Sequence, residues 1–221
     1  MAQLLVLRPE PGASATVERA RAMGMDAVSA PLFTVEALEW EAPEQASFDG
    51  LLLTSANSVR CAGDQLGQFR GLKTFAVGEA TAEAARDAGL DIAGTGDAGV
   101  DRLLGSIEGE LKLLHLSGED RREPVDARQR ITAIAVYRTQ PVETPDLGQM
   151  AGSVALVHSP RAGRRLAELV DDRAKTAIVA ISSASAQAVG DGWQCVQVAE
   201  SPSDEAMLAL AARLCDTSQA K

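Results

Sequence analysis

The sequence predicts an α/β protein made of two parallel-sheet lobes, one of them discontinuous, that are joined by a two-stranded bridge. Short apolar runs alternate with helical patterns through all 221 residues, and this alternation is typical of parallel sheets covered by helices. Strand–turn–helix units also recur at a spacing of 104 residues. Two extended passages interrupt the alternation, and these supply the bridge.

The chain begins with a strand and a helix. The apolar run at residues 4–7 predicts a buried strand, which Arg8 ends. Ser14 is a residue type that caps helices, so we expect a helix from about residue 15 to residue 23. A second strand is expected at 26–30.

The middle of the chain continues the pattern after an extended, acidic passage. Strands are predicted at residues 49–53, 73–77, 92–93, 111–116 and 131–137. Helices are predicted at about 57–66, 80–88 and 100–107, and a further helix from about residue 124.

The last third repeats these elements. Strands are predicted at 154–157, 177–181 and 194–198, and helices at about 160–170, from residue 186 and at 204–214. Each strand is followed by a turn of small polar residues.

The internal repeat indicates two similar lobes. Residues 51–60 align with 155–164, residues 76–85 with 180–189, and residues 100–104 with 204–208, all 104 apart. The first strand and helix supply the opening that the second copy lacks. We therefore predict flavodoxin-like lobes, divided as residues 1–33 plus 144–221, an inserted lobe at 41–130, and bridging segments at 34–40 and 131–143.

The turns after the strands are candidate anion sites. Leu51 to Leu53 lead into a turn containing Ser55, and Ser159 is its counterpart in the second copy. Hydroxyls, backbone N–H groups and the positive end of a following helix all suit an anion. Ligands of parallel sheets bind beyond the carboxyl ends of the strands, so facing lobes would line one cleft with these turns.

Composition excludes several classes of function. A formal net charge of −10 argues against nucleic acid as a partner. The cysteines, Cys61, Cys195 and Cys215, are odd in number and widely spaced, which indicates neither a disulfide framework nor a zinc site. The N-terminus lacks a basic leader, and no apolar run is long enough to span a membrane. We expect a cytoplasmic monomer.

The ordered motifs resemble those of the uroporphyrinogen-III synthase family. They are VLRP, LLLTSANSV, AVGEATAEAA, SGEDRRE, AVYRT, VHSPRAG, AISSASAQAV and AESPSDEAML, and together they span nearly the whole chain. The resemblance implies a cofactor-free lyase of tetrapyrrole (haem) biosynthesis. Its substrate is the linear tetrapyrrole hydroxymethylbilane, which loses water and closes to uroporphyrinogen III with the last pyrrole ring inverted. It also suggests transient contact with the preceding enzyme of the pathway.

The resemblance assigns roles to particular residues. Tyr137, the only tyrosine, matches the family's VYRT tyrosine and would protonate or hydrogen-bond the departing hydroxyl. Substrate carboxylates would be held at Arg8, Ser55, Ala56, Asn57, Gly78, Thr81, Ser117, Arg138, Ser159, Ser182 and Ser185. The chain departs from the family pattern at His158, where threonine is expected, and at Ser182, where glycine is expected.

Other interpretations stay open. Tyr137 is equally consistent with a half-buried strand tyrosine, each serine with a plain helix cap, and Arg121 and Arg122 with solvated surface charge. The chain as a whole is also compatible with a non-catalytic bilobed module that binds an anionic small molecule. A diverged flavodoxin-like signalling pair is a third alternative, although no acidic triad is visible.

Overall fold

A computed structural model describes residues 2–97, 99–125 and 127–217, and for residues 216 and 217 only their backbone. Within this part of the chain eleven strands are present: β1 Leu4–Val6, β2 Ala27–Ser29, β3 Phe33–Ala37, β4 Gly50–Leu53, β5 Lys73–Val77, β6 Asp91–Gly96, β7 Lys112–Gly118, β8 Arg130–Pro141, β9 Val154–Val157, β10 Ala177–Ala180 and β11 Cys195–Val198. The same part contains seven α-helices: α1 Gly12–Ala22, α2 Ala56–Cys61, α3 Glu79–Asp87, α4 Val100–Ser106, α5 Pro160–Leu169, α6 Ser183–Val189 and α7 Asp204–Thr217. The predicted α/β class is confirmed.

The chain divides into two compact units. The first, called here the discontinuous unit, comprises Met1–Thr34 and Pro141–Lys221, and the second, the inserted unit, comprises Val35–Gln140. Sheet A has the strand order β11-β10-β9-β1-β2, and sheet B has the order β3-β8-β7-β4-β5-β6. The registered pairs in sheet A are parallel, as are those that join β4 to β5 and β7, β5 to β6, and β7 to β8.

The 104-residue repeat is present in three dimensions. Strands β4, β5 and β6 begin at residues 50, 73 and 91, and β9, β10 and β11 begin 104 residues later, at 154, 177 and 195. Helices α2, α3 and α4 precede α5, α6 and α7 by the same interval. In both sheets the remaining two parallel strands lie on the same side of this repeat, as β1-β2 in sheet A and β7-β8 in sheet B.

The two units differ in how those last strands are connected. Helix α1 joins β1 to β2 and buries Ala13, Val17 and Ala20 against the sheet. Residues 119–125 and 127–129, between β7 and β8, contain no helix, so the helix expected from about residue 124 is wrong for the described residues. The segment is polar and mostly exposed, and it lacks an apolar stripe that could hold a helix on the sheet.

Strands β3 and β8 form the extended edge of sheet B. The Leu38 N–H donates to the Val136 carbonyl at 2.9 Å, and the Val142 N–H donates to the Leu32 carbonyl at 3.0 Å. One residue number rises as the other falls, so the two strands are antiparallel. Strand β8 also pairs with β7 from residue 130 onward, which makes it part of the sheet.

Apolar clusters cover both faces of each sheet. In sheet A, Leu4 and Val6 belong to one cluster and Leu5 and Leu7 to another, as strand alternation requires. Sheet B is divided in the same way. Among the described residues no helix has the length and apolar character needed to cross a membrane.

Candidate functional site

A pocket of about 290 Å³ opens in the inserted unit where its parallel strands end. It combines hydroxyls, glycine backbone and two arginines with a short apolar wall. The lining residues are Thr54, Ser55, Val77, Gly99, Val100, Gly118, Asp120, Arg121, Arg122 and Tyr137. Ser55 and Tyr137, which were predicted as site residues, therefore share this pocket with Arg121 and Arg122, which were not.

Tyr137 is held in this pocket by the end of β7. Gly118 pairs with Tyr137 across a register shift, and the Glu119 N–H donates to the Tyr137 carbonyl at 2.8 Å. A Cβ atom on Gly118 would lie 2.8 Å from Cζ of Tyr137 and 3.0 Å from its hydroxyl oxygen. The ring therefore lies directly on the glycine, and a side chain at position 118 would displace it.

Ser55 begins α2 at the end of β4. Its hydroxyl accepts the Asn57 N–H at 3.2 Å, which is an N-cap bond. Asn57 itself accepts a bond from Arg60 at 3.4 Å, and neither Ala56 nor Asn57 is among the lining residues. Thr54 and Ser55 are the residues of this turn that line the pocket.

The two arginines after β7 give the pocket its positive charge. Arg122 pairs with Asp101 at 2.9 Å, and Arg121 pairs with Glu123 at 3.5 Å. The acidic partners are 36% and 82% exposed, so both pairs are weak and open to exchange with a ligand carboxylate. From the sequence, surface charge and ligand contact both stayed open for these arginines. Their place directly after a buried parallel strand is the signal that points to them.

A buried histidine contacts one of the residues that line the pocket. His115 on β7 is 2% exposed, and its Nε2 lies 3.1 Å from the Thr54 hydroxyl. Burial, with a smaller contribution from the charge of Arg121, lowers the pKa of His115 to about 4. The imidazole is therefore neutral near pH 7.

Three other predicted residues of the inserted unit lie outside the lining. Gly78 has φ +82° and caps α3, but its own N–H donates to the Gly96 carbonyl at 2.7 Å. Thr81 is 5% exposed. Ser117 is 1% exposed and its hydroxyl lies 3.5 Å from the Ile134 carbonyl, so its neighbour Gly118, and not Ser117, faces the pocket.

Arg138 follows Tyr137 on β8. It pairs with Glu36 at 2.9 Å, and each side chain is nearly half exposed. Because neighbouring residues of a strand point to opposite faces, Arg138 and Tyr137 do not share one face of the sheet.

In the discontinuous unit Arg8 is bound to an internal carboxylate. Asp204, the first residue of α7, accepts bonds from Arg8 at 2.9 Å and from His158 Nε2 at 3.0 Å, as well as from Arg19 and Thr16. Burial by itself raises the pKa of Asp204, but the hydrogen bonds from His158 and Thr16 and the charge of Arg8 hold that pKa below its usual range. Neither Asp204 nor His158 was predicted as a site residue.

Two of the three predicted serines of this unit, Ser159 and Ser182, are helix caps. Ser159 accepts the Ala162 N–H at 3.1 Å, and Ser182 accepts the Ser185 N–H at 3.3 Å. Ser185 is fully buried, with its hydroxyl 3.1 Å from that of Ser182. Ser182 has φ −154°, an extended conformation open to any residue, so replacing the expected glycine causes no backbone strain.

The comparisons with known proteins point to one family. The model of the family described as uroporphyrinogen-III synthase HemD matches residues 14–209. The crystal structure of uroporphyrinogen-III synthetase from Helicobacter pylori 26695 is similar with a TM-score of 0.70 and 16% identity, over 97% of this chain and 100% of that one. A mutant uroporphyrinogen III synthase from the extremely thermophilic bacterium Thermus thermophilus gives 0.57 and 19%, over 98% and 100%. The comparison with curated proteins gives no match.

Proposed function

Because the chain belongs to the uroporphyrinogen-III synthase family, we propose that it converts hydroxymethylbilane to uroporphyrinogen III. The observation that carries this proposal is the family match over residues 14–209. The parallel-sheet fold shared with solved synthases supports it. The reaction is a dehydrating ring closure with inversion of the last pyrrole ring.

The proposed role of Tyr137 is to assist the departure of the hydroxyl group. The phenol donates its proton as the terminal C–O bond breaks, so that water leaves and an azafulvene-like electrophile remains. Attack on this electrophile forms a spiro intermediate, which opens and recloses at the inverted ring. The proton released when the final ring forms restores the phenol, so the overall change is loss of one water molecule. The half-buried position of Tyr137 against Gly118 supports this role, because it limits the orientations of the phenol.

The acidic arms of the substrate need several donors. We assign carboxylate binding in the inserted unit to Ser55, Arg121 and Arg122, which line the same pocket as Tyr137. Arg8 and Arg138 can take part only when Asp204 and Glu36 release them. The remaining proposed contacts belong to the turns themselves, through Ala56, Asn57 and Gly78 in one unit and Ser159 and Ser182 in the other. Thr81, Ser117 and Ser185 are buried and support these turns from within.

The proposed chemistry needs no cofactor. Proton transfer and charge stabilisation suffice for hydroxyl departure from an electron-rich pyrrole. Because the proposed reaction eliminates water, we assign the protein to the lyases. The described residues contain no group of three or more His, Cys, Asp or Glu side chains that could hold a metal ion. We further propose that it works in the cytoplasm, as a monomer, on substrate released by the preceding enzyme.

The test is an isomer analysis. The protein is incubated with hydroxymethylbilane, and the products are oxidised and separated into type I and type III porphyrins. The proposal predicts type III product at a rate that scales with protein concentration and survives dialysis against a chelator. Product of type I alone, which also forms without protein, would refute the proposed function.

A further inference from the structure

His115 is a buried polar residue at a position where the repeated framework does not require one. It pairs with Leu52 in sheet B, and Val6 pairs with Leu156, 104 residues after Leu52, in sheet A. Val6 and His115 therefore hold corresponding positions. Val6 is fully buried in an apolar cluster, so a valine serves this position in the other copy. Burying an imidazole there costs free energy that burying a valine does not, and packing alone does not explain the histidine.

The hydrogen bond of His115 leads to the pocket of Tyr137. Its Nε2 lies 3.1 Å from the hydroxyl oxygen of Thr54, and Thr54 lines that pocket whereas His115 does not. Within the described part of the chain this is the only side-chain hydrogen bond of either residue. The Thr54 hydroxyl therefore connects a buried side chain with an open pocket.

The direction of this hydrogen bond decides what Thr54 offers to a ligand. If Nε2 carries the ring proton, it donates to the hydroxyl oxygen, and the O–H of Thr54 is left to donate into the pocket. If Nδ1 carries the proton, Nε2 accepts the O–H of Thr54, and the hydroxyl presents only lone pairs to the pocket. The two tautomers therefore give the pocket opposite hydrogen-bonding character at this point.

Burial, partners and the charge of the pocket favour a proton on Nε2. Burial lowers the pKa of His115 to about 4, so the ring carries a single N–H near pH 7. Nδ1 makes no hydrogen bond to a described residue, and free neutral histidine also prefers the Nε2–H form. Arg121 and Arg122 line the pocket and attract acceptor groups, to which a Thr54 O–H can donate.

We propose that His115 is a positioning residue, which donates from Nε2 to the Thr54 hydroxyl and thereby directs the Thr54 O–H into the pocket of Tyr137 as a hydrogen-bond donor. The acceptor is an oxygen atom of the molecule bound beside Tyr137. The catalytic consequence rests on the proposed function, whereas the tautomer of His115 does not. Failure of the synthase assay and failure of this proposal are therefore distinguishable.

The first experiment determines the tautomer by nitrogen NMR of the isotope-labelled, unaltered protein at pH 7. In a neutral histidine the protonated ring nitrogen and the unprotonated one resonate at well-separated frequencies. The chain has two histidines, and His115→Val identifies the signals of His115 by their loss. Protonation of His115 at Nε2 alone is expected. Protonation at Nδ1, or at both nitrogens, overturns the proposal.

The bond to Thr54 is tested with Thr54→Val, which removes the hydroxyl and keeps the branched shape. The Nε2 signal of His115 is expected to shift in this variant, because its acceptor is gone. Thr54→Ser retains a hydroxyl and is the matched control, with a signal close to that of the unaltered protein. An Nε2 signal that is the same in the valine variant as in the unaltered protein excludes the bond and overturns the proposal.

A double-mutant cycle on turnover of hydroxymethylbilane tests the positioning role. Thr54→Val is expected to lower kcat/KM about tenfold and His115→Val about fivefold, the size of one hydrogen bond. In the Thr54→Val background, His115→Val should lower kcat/KM less than about twofold further, because the histidine acts through the hydroxyl. Losses that multiply in full show that His115 does not act through Thr54, and they overturn the proposal.

Two further variants separate positioning from packing. His115→Gln places an amide N–H near the position of Nε2, so it should retain more activity than His115→Val. Ile131→Val trims a residue of the cavity that His115 also lines, away from the pocket of Tyr137, and should leave kcat/KM unchanged. Urea unfolding checks that each variant is folded. Equal losses for the Gln and Val variants, or a comparable loss for Ile131→Val, attribute the effect to packing and overturn the proposal.

Discussion

In the discontinuous unit the helix after β11 begins with Asp204, whereas in the inserted unit the residue 104 positions earlier is Val100. Asp204 engages Arg8, Arg19 and His158, so Arg8, which follows β1, already has a counter-charge within its own unit. Val100 lines an open pocket in which Arg121 pairs with the exposed Glu123 and Arg122 with the partly exposed Asp101. One repeated framework thus uses its strand ends for stability in one copy and leaves them available for a ligand in the other.

The largest expected effect is loss of stability when Asp204 is neutralised. Asp204→Asn leaves Arg8 and Arg19 without a counter-charge, and we expect the free energy of unfolding of the discontinuous unit to fall by about 3 kcal/mol. This lies at the lower end for buried pairs, since both arginines keep access to water. Urea unfolding followed by Trp193 fluorescence in a Trp40→Phe background reports on this unit alone, because each unit contains one of the two tryptophans.

The matched control is Asp101→Asn in the inserted unit. Asp101 is 36% exposed and its partner Arg122 is 75% exposed, so the expected loss is at most about 1 kcal/mol, measured through Trp40 in a Trp193→Phe background. Equal losses from the two substitutions would remove the distinction between the units.

A pH dependence specific to the inserted unit is expected from His115. Its folded-state pKa of about 4 lies below the unfolded value of about 6.5. The stability that comes from burying the neutral imidazole is therefore fully present above pH 6.5, declines as the pH falls toward 4, and levels off below that. The total amounts to at most about 3 kcal/mol, measured by urea unfolding through Trp40 at a series of pH values. His115→Gln should flatten this part of the profile, and an unchanged slope would count against the buried neutral histidine.

Catalysis is expected to depend on Tyr137. Tyr137→Phe keeps the ring on Gly118 but removes the proton donor, so turnover of hydroxymethylbilane should fall well over tenfold with little change in the free energy of unfolding. Initial rates and urea unfolding measure the two quantities. A rate near that of the unaltered protein would reduce Tyr137 to a structural residue of β8.

A smaller effect on turnover is expected from Gly118→Ala. The added methyl would meet the Tyr137 ring and shift the phenol by a fraction of an ångström, which we expect to lower turnover about fivefold. Gly105→Ala is the control, because Gly105 lies in α4 with open space around it. That substitution should leave turnover unchanged and stabilise the unit by about 0.5–1 kcal/mol. Equal rates for both alanine variants would show that Gly118 does not position the ring.

Much of the local structure could be predicted because it depends on near neighbours in the chain. Apolar runs and small-residue turns were enough to locate the repeated strands and the helix starts at Ser55 and Ser159, since an N-cap bond joins residues two or three apart. The helix expected from residue 186 begins at Ser183, because Ser182 is its N-cap. The connection after β7 was predicted wrongly as a helix, because its sequence carries helix formers without the apolar stripe that would hold them on the sheet.

The site depended on contacts that the local pattern does not contain. Gly118 and Tyr137 meet through the pairing of β7 with β8, and Arg8 reaches Asp204 across 196 positions. Whether Ser117 or Gly118 faces the pocket depends on strand register, which a shift of one residue reverses.

The family, the α/β alternation and the 104-residue repeat follow from the sequence alone, because periodic burial and helix capping depend on residues close together in the chain. Long-range contacts establish which strand ends hold an open pocket and which are closed by an internal carboxylate. That outcome follows from which charged side chains long-range pairing brings within about 4 Å of one another, and no local pattern specifies it.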